Sequence, residues 1–379
     1  MLALNCGSSS LKCGLYRVQA QLADCLWSAE LPAVHQPAPA LAEVARQLAA
    51  QTGTGAPLPA PQAVVHRVVH GGPQLRQHCR IDDSVLRQLG AAAVFAPLHT
   101  PAVLAVIAQA QLQFAGLPQL ACFDTSFHAR MPALASTLPL PRALREHGIQ
   151  RYGFHGLSCE SIVQQLGPAL PRRLLIAHLG NGASITAVLD GVSVDTSMGL
   201  TPSGGLIMGT RSGDLDPGLL VYLMRSGQLP DAAALEDLID HRSGLAGISG
   251  RSADLRVLHG AAAAGDGDAQ LAIAMFCAAA AKQLAAMCSV LDGVDMIVFT
   301  GGIGEHDALV RADICARLRW LGLRLDDAAN GDVANGDALR PAGGLISAQG
   351  SSCALHVLPS QEDAQMARHA GALLAAAAR

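Results

Sequence analysis

Short apolar runs that end in a polar residue recur along the chain, and two of them open the same pattern. Leu2-Ala3-Leu4 runs into Asn5, a Gly-Ser turn follows, and Leu11, Cys13 and Leu15 then alternate with other residues as a second strand. Leu174-Leu175-Ile176-Ala177 runs into His178, Gly180–Ser184 forms the turn, and Ile185–Leu189 is the second strand. Asp190-Gly191 is then a hairpin signal leading into Val192–Asp195. In both places the glycines join strand to strand, whereas a dinucleotide-binding loop runs from strand into helix. Ile185 also stands where the third glycine of G-x-G-x-x-G belongs, and no G-x-x-x-x-G-K-[ST] occurs. The pattern predicts two related α/β halves, each opening with a β-meander whose first turn faces phosphate.

Three further strands end in polar groups. Val64–Val69 runs into His70-Gly71-Gly72, Leu120–Phe123 ends at Asp124, and Asp295–Phe299 ends at Thr300-Gly301-Gly302. Ligands of open α/β sheets gather at the carboxyl ends of strands. Helical spacing covers Pro101–Gln113, Asp216–Ser226, Ala269–Leu291 and Glu362–Ala378. In the alanine-rich stretch 261–281, Leu271, Met275 and Phe276 keep that spacing, so it reads as a packed helix. Residues 31–62, rich in Pro, Ala and Gln, read as peripheral, and 326–344, with Asp, Asn and Gly, reads as a surface loop.

At 379 residues the chain has room for two domains. No apolar run reaches the roughly 18 residues of a membrane span. The start is too short, and lacks the basic residues, for a signal peptide. A net charge of −4 gives no electrostatic case for nucleic acid or an anionic membrane, and 3% aromatics argue against base-stacking platforms. Ten cysteines without a Cys-x-x-Cys pair read as reduced small hydrophobes, which points to the cytoplasm.

Four segments combine glycine with polar residues: Asn5–Lys12, His178–Ser184, Thr201–Gly218 and Phe299–Glu305. Glycine lets backbone come close to a ligand. Arg211, in the third segment, offers a planar fork of donors suited to carboxylate or phosphate. One such segment would be an ordinary surface loop. Four in one chain point to a large anionic ligand held from several sides.

With His66–Gly72, Arg151–Gly156 and Ser243–Arg256, these segments resemble the acetate kinase family in order and spacing over nearly the whole chain. That family belongs to the superfamily of actin, sugar kinases and heat-shock ATPases. The resemblance implies an α/β protein of two duplicated actin/sugar-kinase-like (ribonuclease H-like) domains with an interdomain ATP cleft. The domains would be 1–125 with 363–379, and 126–362. It also implies reversible phosphoryl transfer from ATP to acetate, giving acetyl phosphate and ADP, by direct in-line attack. Mg²⁺ would be the cofactor, with Mn²⁺ the alternative ion, and the enzyme would be a homodimer.

Roles carry over by matching position. Phosphoryl transfer demands positioning and positive charge around three equatorial oxygens. Arg67 and Arg211 match the family's two active-site arginines, for the acetate carboxylate and the transferring phosphoryl group. His155 matches the histidine that donates to that group, Asp124 the catalytic aspartate, and His99 and His178 supporting histidines. Asn5, Ser8, Ser10 and Lys12 form the first phosphate loop. Gly180, Asn181 and Gly182 form the second, where backbone N–H groups approach phosphate oxygens. Asp254 and Arg256 match residues that bracket the adenosine, and Gly301, Gly302 and Ile303 the wall under adenine and ribose. Glu362 matches the Mg²⁺ carboxylate, with Asn5 on the metal side; as a residue opening a helix it also reads as a capping acid. Val69, Leu98, Phe154 and Pro202 match the apolar pocket for the acetate methyl.

The chain departs from the family at Ser203-Gly204, at Leu157-Ser158-Cys159 and at Ser360–Asp363. None of these removes a charged catalytic group; the first two bear on acyl preference. Two rival readings stand beside the first: a propionate or butyrate kinase on the same scaffold, and a non-catalytic actin- or chaperone-like ATP switch. Against the switch stand Arg67, Arg211, Asp124 and His155 in one chain.

Overall fold

The structure, a computed structural model, describes residues 1–7, 10–20, 22–32, 37–50, 58–97, 99–334 and 344–377. Ser8 and Leu98 lie outside the described residues. The chain forms two compact units: Met1–Ala129 with Phe154–Ser161 and Gln361–Arg379, and Arg130–Gly153 with Ile162–Ser360. The segment Phe154–Ser161, which the sequence reading placed in the second half, packs with the first unit.

In the first unit, β1 (Leu2–Cys6), β2 (Ser10–Gln19) and β3 (Leu22–Pro32) form an antiparallel meander. β4 (Val64–Val68) pairs parallel with β1, β5 (Cys79–Arg80) forms an antiparallel edge, and β6 (Gln119–Phe123) pairs with both β4 and β5. The order is β3-β2-β1-β4-β6-β5. In the second unit, β7 (Arg173–Leu179), β8 (Ala183–Leu189) and β9 (Val192–Thr196) repeat the meander. β10 (Met296–Thr300) and β11 (Ala354–Val357) extend it in parallel, giving β11-β10-β7-β8-β9. The same plan thus occurs twice, as the paired apolar runs predict. Asp190 and Gly191 take φ of 49° and 79°, the left-handed pair that a tight hairpin of this twist needs.

β1, β6 and β10 are buried at every residue, the mark of central strands covered on both faces. Alternation splits the side chains of the first sheet between two cores. Leu2 and Leu4 join Leu41, Val44, Leu89, Val103 and Ile107 on one face. Ala3, Val65, Leu120 and Cys122 meet Leu157, Met366 and Ala370 on the other. In the second unit the helix Gly267–Leu291 lies on β7, β8 and β9. Among the described residues, this helix is the one long and apolar enough to cross a membrane by length and composition, with a mean hydropathy of 1.7 over an 18-residue window. Its buried residues, Ala269, Ala272, Phe276, Ala280, Leu284 and Leu291 among them, follow helical spacing against the sheet.

Three expectations need correction. Pro37–Ala50 is a helix, not periphery, because Leu41 and Val44 one turn apart are fully buried. Asp327–Ala334 is a helix within the expected 326–344 loop. It is held by Arg311, a fully buried guanidinium that donates to Asn330 Oδ1 (2.7 Å) and Asn330 O (2.8 Å) and to the carbonyls of Gly304 and Glu305 (2.9 Å each). Gly301–His306 is a short helix, not a loop. The other predicted helices occur as Thr100–Gln113, Pro217–Arg225, Gly267–Leu291 and Glu362–Ala377. All ten cysteines are free thiols, and eight are buried.

Two buried histidines make the fold acid-sensitive. His66 meets Gln119 Oε1 at 2.8 Å, His128 meets the Phe154 carbonyl at 2.9 Å, and burial lowers both imidazoles from 6.5 to about 4. A depressed histidine contributes its full stability above the unfolded value and loses it as pH falls through the folded one. Between pH 6.5 and 4, each should withdraw on the order of 3 kcal/mol. Urea unfolding midpoints measured across that window should fall steeply, and His66→Gln should flatten the slope. An unchanged slope in that variant would remove His66 from the account.

Candidate active site

The carboxyl ends of β1, β4 and β6 bring Asn5, Arg67 and Asp124 together in the first unit. The three strands are adjacent and parallel, so their last residues share one edge. Arg67 grips Asp124 with two nitrogens: Nε lies 3.1 Å from both carboxylate oxygens and Nη2 is 2.6 Å from Oδ2. Arg67 Nη1 donates to Asn5 Oδ1 at 3.1 Å and lies 3.6 Å from Glu362 Oε2. Asn5 Nδ2 donates to Asp363 Oδ1 at 2.8 Å and to Glu362 Oε2 at 3.4 Å. Glu362 and Asp363 are the first turn of the C-terminal helix, where carboxylates favour the helix dipole.

Burial alone would lower the Arg67 guanidinium, but Asp124 and Glu362 outweigh it and hold the group protonated. Burial pushes the Asp124 carboxyl up, and the Arg67 guanidinium opposes that. Burial also raises Asp363, against the hydrogen bond from Asn5. Three carboxylates face one guanidinium here, an oxygen-rich and electronegative setting.

Gly156 sets His155 beside this cluster. Its N–H donates to the Asp124 carbonyl at 2.8 Å, and a Cβ at Gly156 would collide with that oxygen. His155 is left at φ 57°, a left-handed backbone unusual for a side-chain-bearing residue. Phe154 and Val69 are buried in the same unit. The His70 ring stacks on Phe95 at 5.2 Å and meets the edge of Phe154 at 5.5 Å. His99 is half-buried at the start of the helix Thr100–Gln113. Lys12 is exposed and opposite Asn5 in register, and the Ser10 hydroxyl donates to Glu30 Oε1 at 2.7 Å.

In the second unit His178 is the penultimate residue of β7, opposite Ser184 on β8 and Thr300 on β10. The Gly180 N–H closes the turn on the Gly182 carbonyl at 2.9 Å. Gly301 takes φ 77° and leaves only 2.7 Å between an added Cβ and the Leu179 carbonyl, so glycine is required where these strand ends converge. The Arg211 loop docks on the same turn: Gly209 N–H donates to Asn181 O at 3.0 Å. Backbone donors of Ser243, Leu245 and Ala246 bind the carbonyls of Thr210, Met208 and Gly209 at 2.9–3.0 Å. Gly244, at φ 64°, gives room for the Met208 and Arg211 carbonyls. Arg211 Nη1 reaches Pro202 O at 3.3 Å.

The second unit therefore gathers His178, Asn181, Arg211 and Gly301, with Pro202 beside Arg211. Gly302 and Ile303 continue the helix from Gly301. Asp254 caps the helix Leu255–Ala263 and pairs with Arg256 at 2.7 Å; the Arg256 side chain is 91% exposed. Sequence reasoning missed Asp363, Gly156 and Gly244. Asp363 carried no role in the family pattern, and the two glycines are fixed by distant backbone that no local signal records.

Meander sheets with glycine turns at their polar strand ends recur in both units, a duplicated α/β fold. The acetokinase family profile matches residues 28–368. Acetate kinase 2 of Neisseria meningitidis serogroup A is 44% identical over 312 residues, covering 81% of this chain and 77% of that protein. The crystal structure of Porphyromonas gingivalis acetate kinase superposes with a TM-score of 0.85 at 32% identity, covering 98% of this chain and 99% of that one. A propionate kinase from Francisella tularensis gives 0.83 at 33%, covering 97% of each. The chain belongs to the acetokinase family, phosphotransferases that act on a carboxyl group.

Proposed function

We propose that the protein is an acetate kinase, transferring the γ-phosphoryl group of ATP reversibly to acetate, in line and without a phosphoenzyme. The Arg67–Asp124 grip at the strand ends, with Glu362 and Asp363 beside it, carries this reading. Arg67 and Arg211 neutralise and orient the acceptor carboxylate and the moving phosphoryl group. His155 donates a hydrogen bond to that group, with His99 and His178 in support. Lys12, Ser8 and Ser10, the turn Gly180–Gly182, Asp254, Arg256 and the Gly301–Ile303 wall hold ATP.

The oxygen donors beside Arg67 fit Mg²⁺, a hard ion that keeps several waters and needs only one or two carboxylates. Glu362 would hold it, with Asn5 alongside, and the ion would neutralise phosphate charge. By their match to the family, Val69, Leu98, Phe154 and Pro202 are our candidates for contact with the acyl methyl. We place the enzyme in the cytoplasm, acting on small carboxylates and ATP without nucleic acid or membrane.

ADP release with Mg-ATP and acetate, beside propionate, butyrate and a no-acid control, tests the reading. Acetate should be fastest and propionate slower by about 10–200-fold, the worth of one methylene in an apolar pocket. A preference for propionate would favour the second reading, which the Francisella neighbour supports. ATP binding without acid-dependent turnover would favour the switch.

We also propose a homodimer. The helix Pro217–Arg225 buries no residue and exposes Val221 and Tyr222. Sedimentation equilibrium should give a dimer that Tyr222→Glu weakens; a monomeric native chain would refute this.

A further inference from the structure

The first unit also brings together His78, Glu160 and His369. The ligand-type atoms of the three side chains fall within 4.8 Å of one another. His369 Nε2 is 2.7 Å from Glu160 Oε2, His78 Nε2 is 3.7 Å from the same oxygen, and the two rings lie 4.0 Å apart.

Such a trio invites a metal, but the chemistry of His78 argues otherwise. Its Nδ1 accepts the Phe123 N–H at 3.1 Å, so the neutral ring carries its proton on Nε2, which faces Glu160. Ligation through Nε2 would require an imidazolate or loss of the Phe123 bond. Burial alone would raise Glu160, yet the hydrogen bond from His369 and the His78 imidazole 3.7 Å away hold it down at about 2. An anionic Glu160 in turn assigns the His369 Nε2 proton to this pair, although the Gln365 amide lies 3.1 Å from the same nitrogen.

Each member is tied to an element that carries or adjoins a residue of the proposed site, His78 through the N–H of Phe123 at the end of β6. Phe123 immediately precedes Asp124. Glu160 is on the helix Gly156–Leu166, which begins after His155 and is pinned to the Asp124 carbonyl. His369 is on the helix that opens with Glu362 and Asp363. We propose that Glu160 is a positioning residue for phosphoryl transfer. Its carboxylate gathers the imidazoles of His78 and His369 and so ties the strand end bearing Asp124 to the helix bearing Glu362 and Asp363. This rests on the reading that those carboxylates serve the transfer.

The test uses the full chain with Glu160→Gln, and His369→Gln should the first fail to fold. Steady-state rates per folded molecule are recorded against acetate, ATP and Mg²⁺, with thermal unfolding alongside. Glu160→Gln should lower kcat about tenfold or more and raise the Mg²⁺ needed for half-maximal rate, with KM for ATP unchanged. A folded variant with native kcat and Mg²⁺ dependence overturns the inference. A native chain without acid-dependent turnover refutes the reaction itself, and the inference falls with it; the native control tells the two failures apart. Long-range proton–nitrogen correlation spectra of the native chain should show His78 as the Nε2–H tautomer. An Nδ1–H tautomer, or stoichiometric Zn²⁺ binding to both rings, would also overturn it.

Discussion

Alanine at Arg211 lowers acetate-dependent ADP release by about 10³-fold or more, the scale on which an arginine stabilises a phosphoryl group in flight. ATP affinity stays largely intact. The loop that presents Arg211 is held by backbone, through Ser243, Leu245 and Ala246 and the space at Gly244, so truncating the side chain does not release it. Arg211→Lys restores charge without the planar fork and should recover only part of the rate. Turnover measured beside nucleotide titration calorimetry decides the matter. Near-native kcat in Arg211→Ala would remove its assigned role; lost ATP binding would move that role to the nucleotide.

The second large effect is on stability. Asp124→Ala leaves the largely, not fully, buried Arg67 with its main counter-charge gone, and breaking one partner of a buried ion pair costs up to about 3–5 kcal/mol. For a protein with units of this size, the melting temperature should drop by on the order of 10 °C. Asp124→Asn keeps an acceptor for the Arg67 donors and the shape of the site. It should therefore lose less stability than the alanine variant while losing comparable activity. Calorimetric scans and steady-state rates on the same preparations separate the two. An alanine variant as stable as the native chain would mean that Asn5 and Glu362 suffice to hold Arg67.

The strand ends were legible because each is a local event: an apolar run, then one polar residue. That rule alone located Asn5, Asp124 and His178, whereas the parallel pairing of β1, β4 and β6 is seen only in the structure. β5 was not legible, since two residues carry no period. Pro37–Ala50 was hidden because alanine, proline and glutamine dilute the spacing of Leu41 and Val44. Asp327–Ala334 was hidden for a different reason. Asn330 looks like a loop residue until Arg311 is seen to occupy both its side chain and its carbonyl. Gly156 and Gly244 belong to the same class: each is fixed by a carbonyl brought in from another part of the chain.

On the ribosome, the helix Gly267–Leu291 leaves the exit tunnel after β7, β8 and β9 have been made. A nascent segment apolar enough to be taken for a membrane span therefore meets its sheet already synthesised, and its exposed lifetime is short. β10 and β11 have no such advantage. Until they arrive, β7 is an open edge, with unpaired donors and acceptors beside the His178 turn. A chain stalled or truncated just after Leu291 would carry a finished helix on an unfinished sheet, and would recruit strands from other chains through that edge.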